Sequence, residues 1–274
     1  MGFDQADAEE VINAIRVLGY AQVPGFYPAD LIARTVDKVD ALYDGVMAEQ
    51  KVQNFHSRLE NMGNKTLQNV QNKDFHFLEL LFCSPFVEGV LMALLNDPWY
   101  KAIPAGNPNY ILKSFSARSS VSELPLHIDS YIPYLGTDVI SIQHLVVLED
   151  MSPDNGCTVV VPGSHLAGRY VKPDDRILAV PLHAKAGDLI LWDSRLWHGT
   201  TANTSGRSRW VLVASYARWW LKQMFDIPGT LPQSHYDRLS DPQKAVMGFC
   251  SVSRGDESEG IGLKRGYESL PVRL

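Results

Sequence analysis

The sequence predicts a mainly β protein with flanking helices, its β-rich part a sandwich or barrel of the jelly-roll sort. Two observations carry this. From Tyr110 onward, short runs rich in Val, Ile, Leu and aromatic residues alternate with clusters of turn formers, and seven or more such runs at close spacing mark a β-sandwich or barrel. Before Tyr110, apolar residues recur instead every three or four positions, the helical period. A third observation sets the organisation: no internal repeat, low-complexity tract or linker interrupts the chain. One domain is expected over 1–274, with helical support over about 1–108, the jelly-roll core over about 109–220 and a C-terminal helical segment over about 221–274.

Residues 7–18 carry Val11, Ile12, Ile15 and Leu18 at helical spacing, and Gly19 followed by Ala21-Gln22-Val23-Pro24-Gly25 predicts a short strand and a turn. Pro28, favoured in a first helical turn, opens a second helix with its stripe on Leu31/Ile32, Val36, Val39, Leu42/Tyr43 and Val46. More helix is expected over 74–95, broken at Pro85. The predicted strands are 110–115, 124–128, 139–148, 158–161, 177–182, 188–192 and 210–216, punctuated by turns such as Pro153-Asp154-Asn155-Gly156, Pro162-Gly163-Ser164 and Lys185-Ala186-Gly187. Helix returns near the end, with Ser240 as N-cap and Pro242 in the first turn.

With 45% hydrophobic and 20% charged residues, the 274-residue chain can bury a sizeable core and is too apolar for disorder. Lys and Arg total 25 against 31 Asp and Glu, a formal charge of −6. That balance argues against a nucleic-acid partner, which needs clustered Lys and Arg on phosphates. No membrane span is expected either. The longest uncharged apolar-rich run, 139–148, includes Gln143 and His144 and falls well short of the ~20 apolar residues a bilayer requires. The first residues are acidic, without the apolar run of a secretory leader, and Ala6 breaks the myristoylation pattern after Gly2. Cys83, Cys157 and Cys250 are odd in number, far apart and without a Cys-x-x-Cys pair. They are expected to be reduced, small buried hydrophobes in a cytoplasmic protein.

His127-Ile128-Asp129 places an imidazole and a carboxylate on one strand face, because strand side chains alternate with period two. These are two corners of the facial triad of non-heme iron(II) oxygenases. The triplet alone is a weak signal, since a second copy, His235-Tyr236-Asp237, lies in a polar segment and reads as a surface turn. A third ligand at a later strand end distinguishes the first copy. The run Gly187-Asp188-Leu189-Ile190-Leu191-Trp192 leads on to His198, and jelly-roll topology brings non-adjacent strands together. Arg209, eleven residues after His198 and across a predicted hairpin over 200–208, opens a strand on which 209, 211 and 213 share a face. An Arg at the mouth of an otherwise apolar face calls for a bidentate carboxylate, whereas Arg207, in the turn, reads as a solvated charge.

On these residues the chain resembles the phytanoyl-CoA dioxygenase family of Fe(II)/2-oxoglutarate-dependent oxygenases, from Leu18-Gly19-Tyr20 to Gly266-Tyr267. The resemblance rests on an ordered set. His127-Ile128-Asp129 is followed by Asn155-Gly156-Cys157-Thr158, then Pro162-Gly163-Ser164-His165. The strand ending in Trp192 comes next, then Trp197-His198-Gly199, with Arg209 at the family's offset from the second His. It implies a double-stranded β-helix (jelly-roll, cupin-like) core and a catalytic iron(II) on His127, Asp129 and His198. It also implies 2-oxoglutarate as co-substrate, its distal carboxylate on Arg209, and O2 as oxidant. Thr158, in the family's Asn-Gly-x-Thr pattern, is expected at the co-substrate. A polar residue for the inner end of 2-oxoglutarate is expected on the strand before His127. Ser114, Ser116 and Lys113 are its candidates, and Ser116 stands in the co-substrate-binding set beside Gln143, which shares a strand face with Ser141. Gln68 and Asn69 are candidate lid contacts. His165 reads as capping loop backbone, His144 as a core histidine and Trp219-Trp220 as packing.

The resemblance implies oxidative decarboxylation of 2-oxoglutarate to succinate and CO2, coupled to hydroxylation of an unactivated C–H bond. The substrate would be a small-molecule metabolite held by the helical third and by loops 130–137 and 219–233. Diversion of the same oxidation to desaturation, epimerisation or ring closure stays open. Halogenation is disfavoured, because related halogenases carry a small residue where Asp129 stands. From a different class, a non-redox cupin-like isomerase or hydrolase would use the same three ligands but would not need Arg209. A non-catalytic jelly-roll binding protein would need no intact triad. The substrate and the oligomeric state are not legible.

Overall fold

The computed structural model describes residues 5–48, 64–253 and 266–270. Helix α1 (Gln5–Leu18) buries Val11 and Ile15. Gly19, at φ 87, turns the chain into β1 (Tyr20–Val23) where an added Cβ would strike His165 and Leu196. After α2 (Ala29–Ala48) come β2 (Lys65–Gln68), α3 (Val70–Lys73), α4 (His76–Leu81) and α5 (Pro85–Leu95). Pro85 starts a helix rather than interrupting one, because Ser84 Oγ caps it by accepting the Phe86 N–H at 3.3 Å. The strands that follow are β3 (Tyr110–Ser119), β4 (Leu124–His127), β5 (Ser141–Val147), β6 (Thr158–Val160), β7 (Val180–Pro181), β8 (Leu189–Asp193), β9 (His198–Thr200) and β10 (Val211–Arg218). Short helices α6 (Ile227–Thr230), α7 (Gln233–Tyr236) and α8 (Asp241–Val246) close the chain, the last on a Ser240/Gln243 capping box.

The strands form a six-stranded sheet, in the order β1-β8-β5-β10-β3-β2, and a four-stranded sheet, β4-β9-β6-β7. Every pairing in both is antiparallel. On one face of the large sheet Leu112, Ile142 and Leu212 join Phe77, Leu91 and Val246 from the helices in the main core. On the other, Leu145, Val147 and Ile190 meet Val160 and Leu182 of the small-sheet side. Covered on both faces, β5 and β8 are buried throughout, which is why they read as continuous apolar runs instead of alternating.

The expected mainly β double-stranded β-helix with a helical N-terminal region is present, with corrections of detail. The predicted strand over 177–182 is a 3-10 turn, Pro173–Leu178, followed by the two-residue β7. Asp175 holds that turn by accepting the Lys172 N–H and pairing with Arg169. In the N-terminal third β1 is the short strand expected after Gly19, whereas β2 was not expected, and the two form the edges of the large sheet. No hairpin spans 200–208: β9 lies in the small sheet and β10 in the large one, so the chain crosses between layers. Cys157 and Cys250 are buried, but Cys83 is exposed in the turn between α4 and α5. Among the described residues no helix is long and apolar enough to cross a membrane.

Candidate active site

Strands β4 and β9 pair with His127 opposite His198, and their ring centroids lie 4.2 Å apart. Gly199 permits the approach, since a Cβ there would sit 2.4 Å from the Leu124 carbonyl oxygen. Beyond β4 the chain is turned back by the Asp129 and Ser130 N–H groups, which both donate to Ser194 O, at 2.8 and 3.0 Å. The Asp129 carboxylate thereby reaches both imidazoles, 3.2 Å from His198 Nε2 and 3.7 Å from His127 Nε2. One ligand atom from each residue lies within 4.8 Å of the others, and no other group of three among the described residues does so.

The imidazoles are held in a defined tautomer. His127 Nδ1 lies 3.0 Å from Pro125 O, and His198 Nδ1 2.9 Å from Leu196 O. A carbonyl oxygen only accepts, so each Nδ1 carries a proton, and in the neutral imidazole the lone pair falls on Nε2, on the Asp129 side. Burial pushes His127 below its ordinary pKa, and His198 beside it adds to the effect. Burial opposes ionisation of Asp129 too, yet the two histidines hold its carboxyl well below the usual range. For His198 burial works downward, but the Asp129 carboxylate outweighs it and raises the imidazole. Two imidazole nitrogens and a carboxylate on one side of a point suit an octahedral transition metal with its other positions open.

These three side chains face a cavity between the sheets of about 130 Å³, roughly ten times the ~10–15 Å³ that one water needs. Its floor is the inner face of the large sheet: Val211, Val213 and Ser215 of β10, Gln143 and Leu145 of β5, and Trp192 of β8. Arg209, just ahead of β10, borders the same cavity and is 4% exposed. Its N–H donates to Ser119 Oγ, its Nε to Asn155 O and its Nη2 to Gly156 O. Its Nη1 finds no partner among the described residues. Burial lowers Arg209 to about 10, so it stays cationic at neutral pH. A buried guanidinium nitrogen without an acceptor is costly, and a carboxylate would satisfy it bidentately. The donor set and this orphaned nitrogen together fit an iron(II) ion and a dicarboxylate.

The other expected residues divide. Thr158 is buried, borders the cavity and lies on β6 opposite Thr200 of β9. Gln143 also borders it, with its Nε2 donating to Ser194 Oγ and Ser215 Oγ, each at 3.2 Å. Ser116 does not reach it: 1% exposed, it accepts the Arg118 Nε–H at 3.0 Å. Lys113 and Ser114 border the cavity instead, through a β-bulge. Ser215 pairs with Ser114 and Tyr216 with Leu112, which leaves Lys113 as the extra residue and turns it to the same side as Ser114.

Ser141 is engaged with Tyr216 O, and neither Gln68 nor Asn69 borders the cavity. No described residue before Lys113 does, so the described part of the helical third supports the large sheet rather than this pocket, while loops 130–137 and 219–233 contribute Tyr131 and Met224. His144 bonds Tyr27 Oη, His165 lies against Arg16 O, His235 against Gln71 O, and Trp219 stacks on Tyr100. Arg118, Thr200 and Trp192 line the cavity as well, beyond the residues expected there. Period two from Ser114 and Ser116 points to Arg118, and from His198 to Thr200; no comparable signal marks Trp192.

The family model for phytanoyl-CoA dioxygenase (PhyH) matches residues 15–211, a span that contains the triad and Arg209. An uncharacterized protein of Mycobacterium tuberculosis, Rv1501, is 29% identical over 223 residues, 80% of this chain and 78% of that one. The structure of HygX from Streptomyces hygroscopicus with nickel and 2-oxoglutarate bound is similar at a TM-score of 0.59 and 15% identity, covering 81% of this chain and 90% of that chain. The non-heme alpha ketoglutarate dependent epimerase SnoN from nogalamycin biosynthesis is similar at 0.59 and 22% identity, covering 87% and 93%. At such identities the two structures speak for the fold, and the family match speaks for the chemistry. The chain belongs to the phytanoyl-CoA dioxygenase family and is an oxidoreductase of the iron(II)/2-oxoglutarate-dependent dioxygenase type.

Proposed function

We propose that the chain, acting over 1–274 as one catalytic domain, hydroxylates an unactivated C–H bond of a small-molecule metabolite and releases succinate and CO2. One observation carries the reading: a two-His, one-carboxylate group shares a cavity with a buried arginine whose Nη1 lacks an acceptor. His127, Asp129 and His198 would hold iron(II), which with 2-oxoglutarate and O2 supplies the oxidation of the C–H bond. The Pro125 and Leu196 carbonyls keep both Nε2 lone pairs available for it. Arg209 anchors the distal carboxylate of 2-oxoglutarate through Nη1, beside the Thr158 and Thr200 hydroxyls. Leu145, Val211, Val213 and Trp192 keep water from the reacting bond, so the contribution of the chain is positioning and exclusion rather than acid–base work. That the similar HygX structure has nickel and 2-oxoglutarate bound supports a metal and this co-substrate here. Reduced cysteines and a cytoplasmic setting belong to the same reading.

The test is an anaerobic titration of the apoprotein with iron(II) and then 2-oxoglutarate, in wild type, His198→Ala and Arg209→Ala. A weak visible charge-transfer band should need both additions and be absent from His198→Ala. In Arg209→Ala it should demand far more 2-oxoglutarate. No band in folded wild type would sink the reading and favour a non-redox metal enzyme. The likeness to an epimerase raises a second outcome, which product mass separates: hydroxylation adds one oxygen and epimerisation none.

A further inference from the structure

The cavity holds more positive charge than the proposed reaction uses. Among the described residues that border it, Lys113, Arg118 and Arg209 are cations and Asp129 is the sole carboxylate. With iron(II) and 2-oxoglutarate in place, the dication and the dianion cancel and Arg209 offsets Asp129, while both histidines are neutral as ligands. Lys113 and Arg118 remain uncompensated. Building on the proposed function, we infer that the substrate is a small molecule bearing a carboxylate, sulfate or phosphate on an apolar body, and that Lys113 and Arg118 receive its anionic group.

Neither cation has a carboxylate in contact among the described residues, although Asp129 acts on each from farther off. Neither forms an ion pair with a described residue, whereas elsewhere Arg169, Arg195 and Arg238 pair with carboxylates at 2.8, 2.7 and 2.9 Å. Lys113 is half-buried. Its bulged backbone directs it inward, and its ammonium lies 4.7 Å from the centroid of the Tyr131 ring. Arg118 is exposed at the rim and spends its Nε–H on Ser116 Oγ, leaving the fork of its guanidinium for an anion. Trp192, also in the lining, keeps its Nε1–H buried with no acceptor among the described residues. The lining is therefore rich in donors that a neutral apolar molecule would leave unsatisfied.

The apolar part of the substrate is indicated by what stays uncovered. Tyr131, Met224 and Leu124 border the cavity yet are 66%, 47% and 42% exposed. Tyr131 also holds φ 66, a conformation that bulky residues rarely adopt and that tends to occur at ligand clamps. The Met224 N–H donates to Lys113 O at 2.9 Å, so the apolar rim and the cationic strand are tied together.

Octanoate and octylamine, with the same chain length and opposite charge, test the inference. Their binding is measured by calorimetry on the metal-free protein, and by perturbation of the charge-transfer band on the anaerobic iron(II)/2-oxoglutarate complex. Octanoate should bind at least tenfold more tightly than octylamine. Lys113→Met and Arg118→Gln should each erase most of that preference, and Lys113→Arg should restore it. Equal binding of octylamine, or octanoate affinity indifferent to both substitutions, overturns the inference. So does octanoate binding that is lost in Arg209→Ala but kept in Lys113→Met, which places the anion at the co-substrate position. A fall in 2-oxoglutarate affinity in Lys113→Met that matches its fall in octanoate affinity would make Lys113 a co-substrate residue and overturn the inference as well. Octanoate selected by the metal-free protein while no band ever forms would uphold the charge preference and defeat only the proposed function.

Discussion

The two sheets differ in length, cover and content. The large sheet is buried along the whole of β5 and β8 and packs on both faces. The small sheet has strands of two to four residues, and residues 124–127 of β4 are exposed or half-exposed. Yet the small sheet carries His127, His198 and Thr158, while the large one contributes mostly floor. The difference teaches where stability and chemistry can be separated. Half-exposed polar side chains are tolerable at the edge of a structure whose free energy resides in another layer.

The comparison breaks most completely at the triad. Asp129→Ala should abolish hydroxylation and weaken iron binding while moving Tm by no more than a few degrees, read by metal titration beside a thermal melt. The opposite pattern is expected at Leu212, fully buried in β10. Leu212→Ala should cost about 2–5 kcal/mol, as large-to-small core changes do. A urea midpoint would show the loss, with iron still bound one-to-one by the molecules that remain folded.

Acid should strike the large sheet through His144, which is fully buried on β5 and held by burial at about 3. The unfolded chain takes up this proton near the ordinary value of about 6.5, the folded one only near about 3. The contribution is thus complete above roughly pH 7 and is lost as pH falls through the interval, about 3 kcal/mol by pH 4. His144→Gln should be less stable at pH 8 but flatten the acid limb of a stability profile; an unchanged slope would refute the assignment.

Smaller effects return to the site. Gly199→Ala, whose Cβ would meet the Leu124 carbonyl oxygen, should part β4 from β9 and weaken iron binding by about 10–100-fold, with little change at the large sheet. Arg209→Lys keeps the charge but loses the fork, and should raise the KM for 2-oxoglutarate by about tenfold at unaltered kcat.

Local patterns sufficed for much of this molecule. Strand and helix periods are properties of adjacent residues, so the apolar runs of β5, β8 and β10 and the stripes of α1 and α2 were readable without any partner. His127 and Asp129 were readable for the same reason, being two positions apart on one strand. His198 and Arg209 stood out at later strand ends, but their joint role came through the family's ordered motifs, because nothing local says which distant strand end meets which.

Other features depended on partners far along the chain. The pairing that sets His127 against His198 depends on Gly199 meeting β4. The crossover at 200–208 depends on β9 and β10 joining different sheets. Which of Lys113, Ser114 and Ser116 border the cavity follows from a single bulge. Period two tells which side chains share a face, but register and bulges follow from hydrogen bonding to another strand and from what packs above it. That is why the proposed iron ligands could be named from the chain alone, while the charge of the cavity around them emerged only once the sheets were assembled.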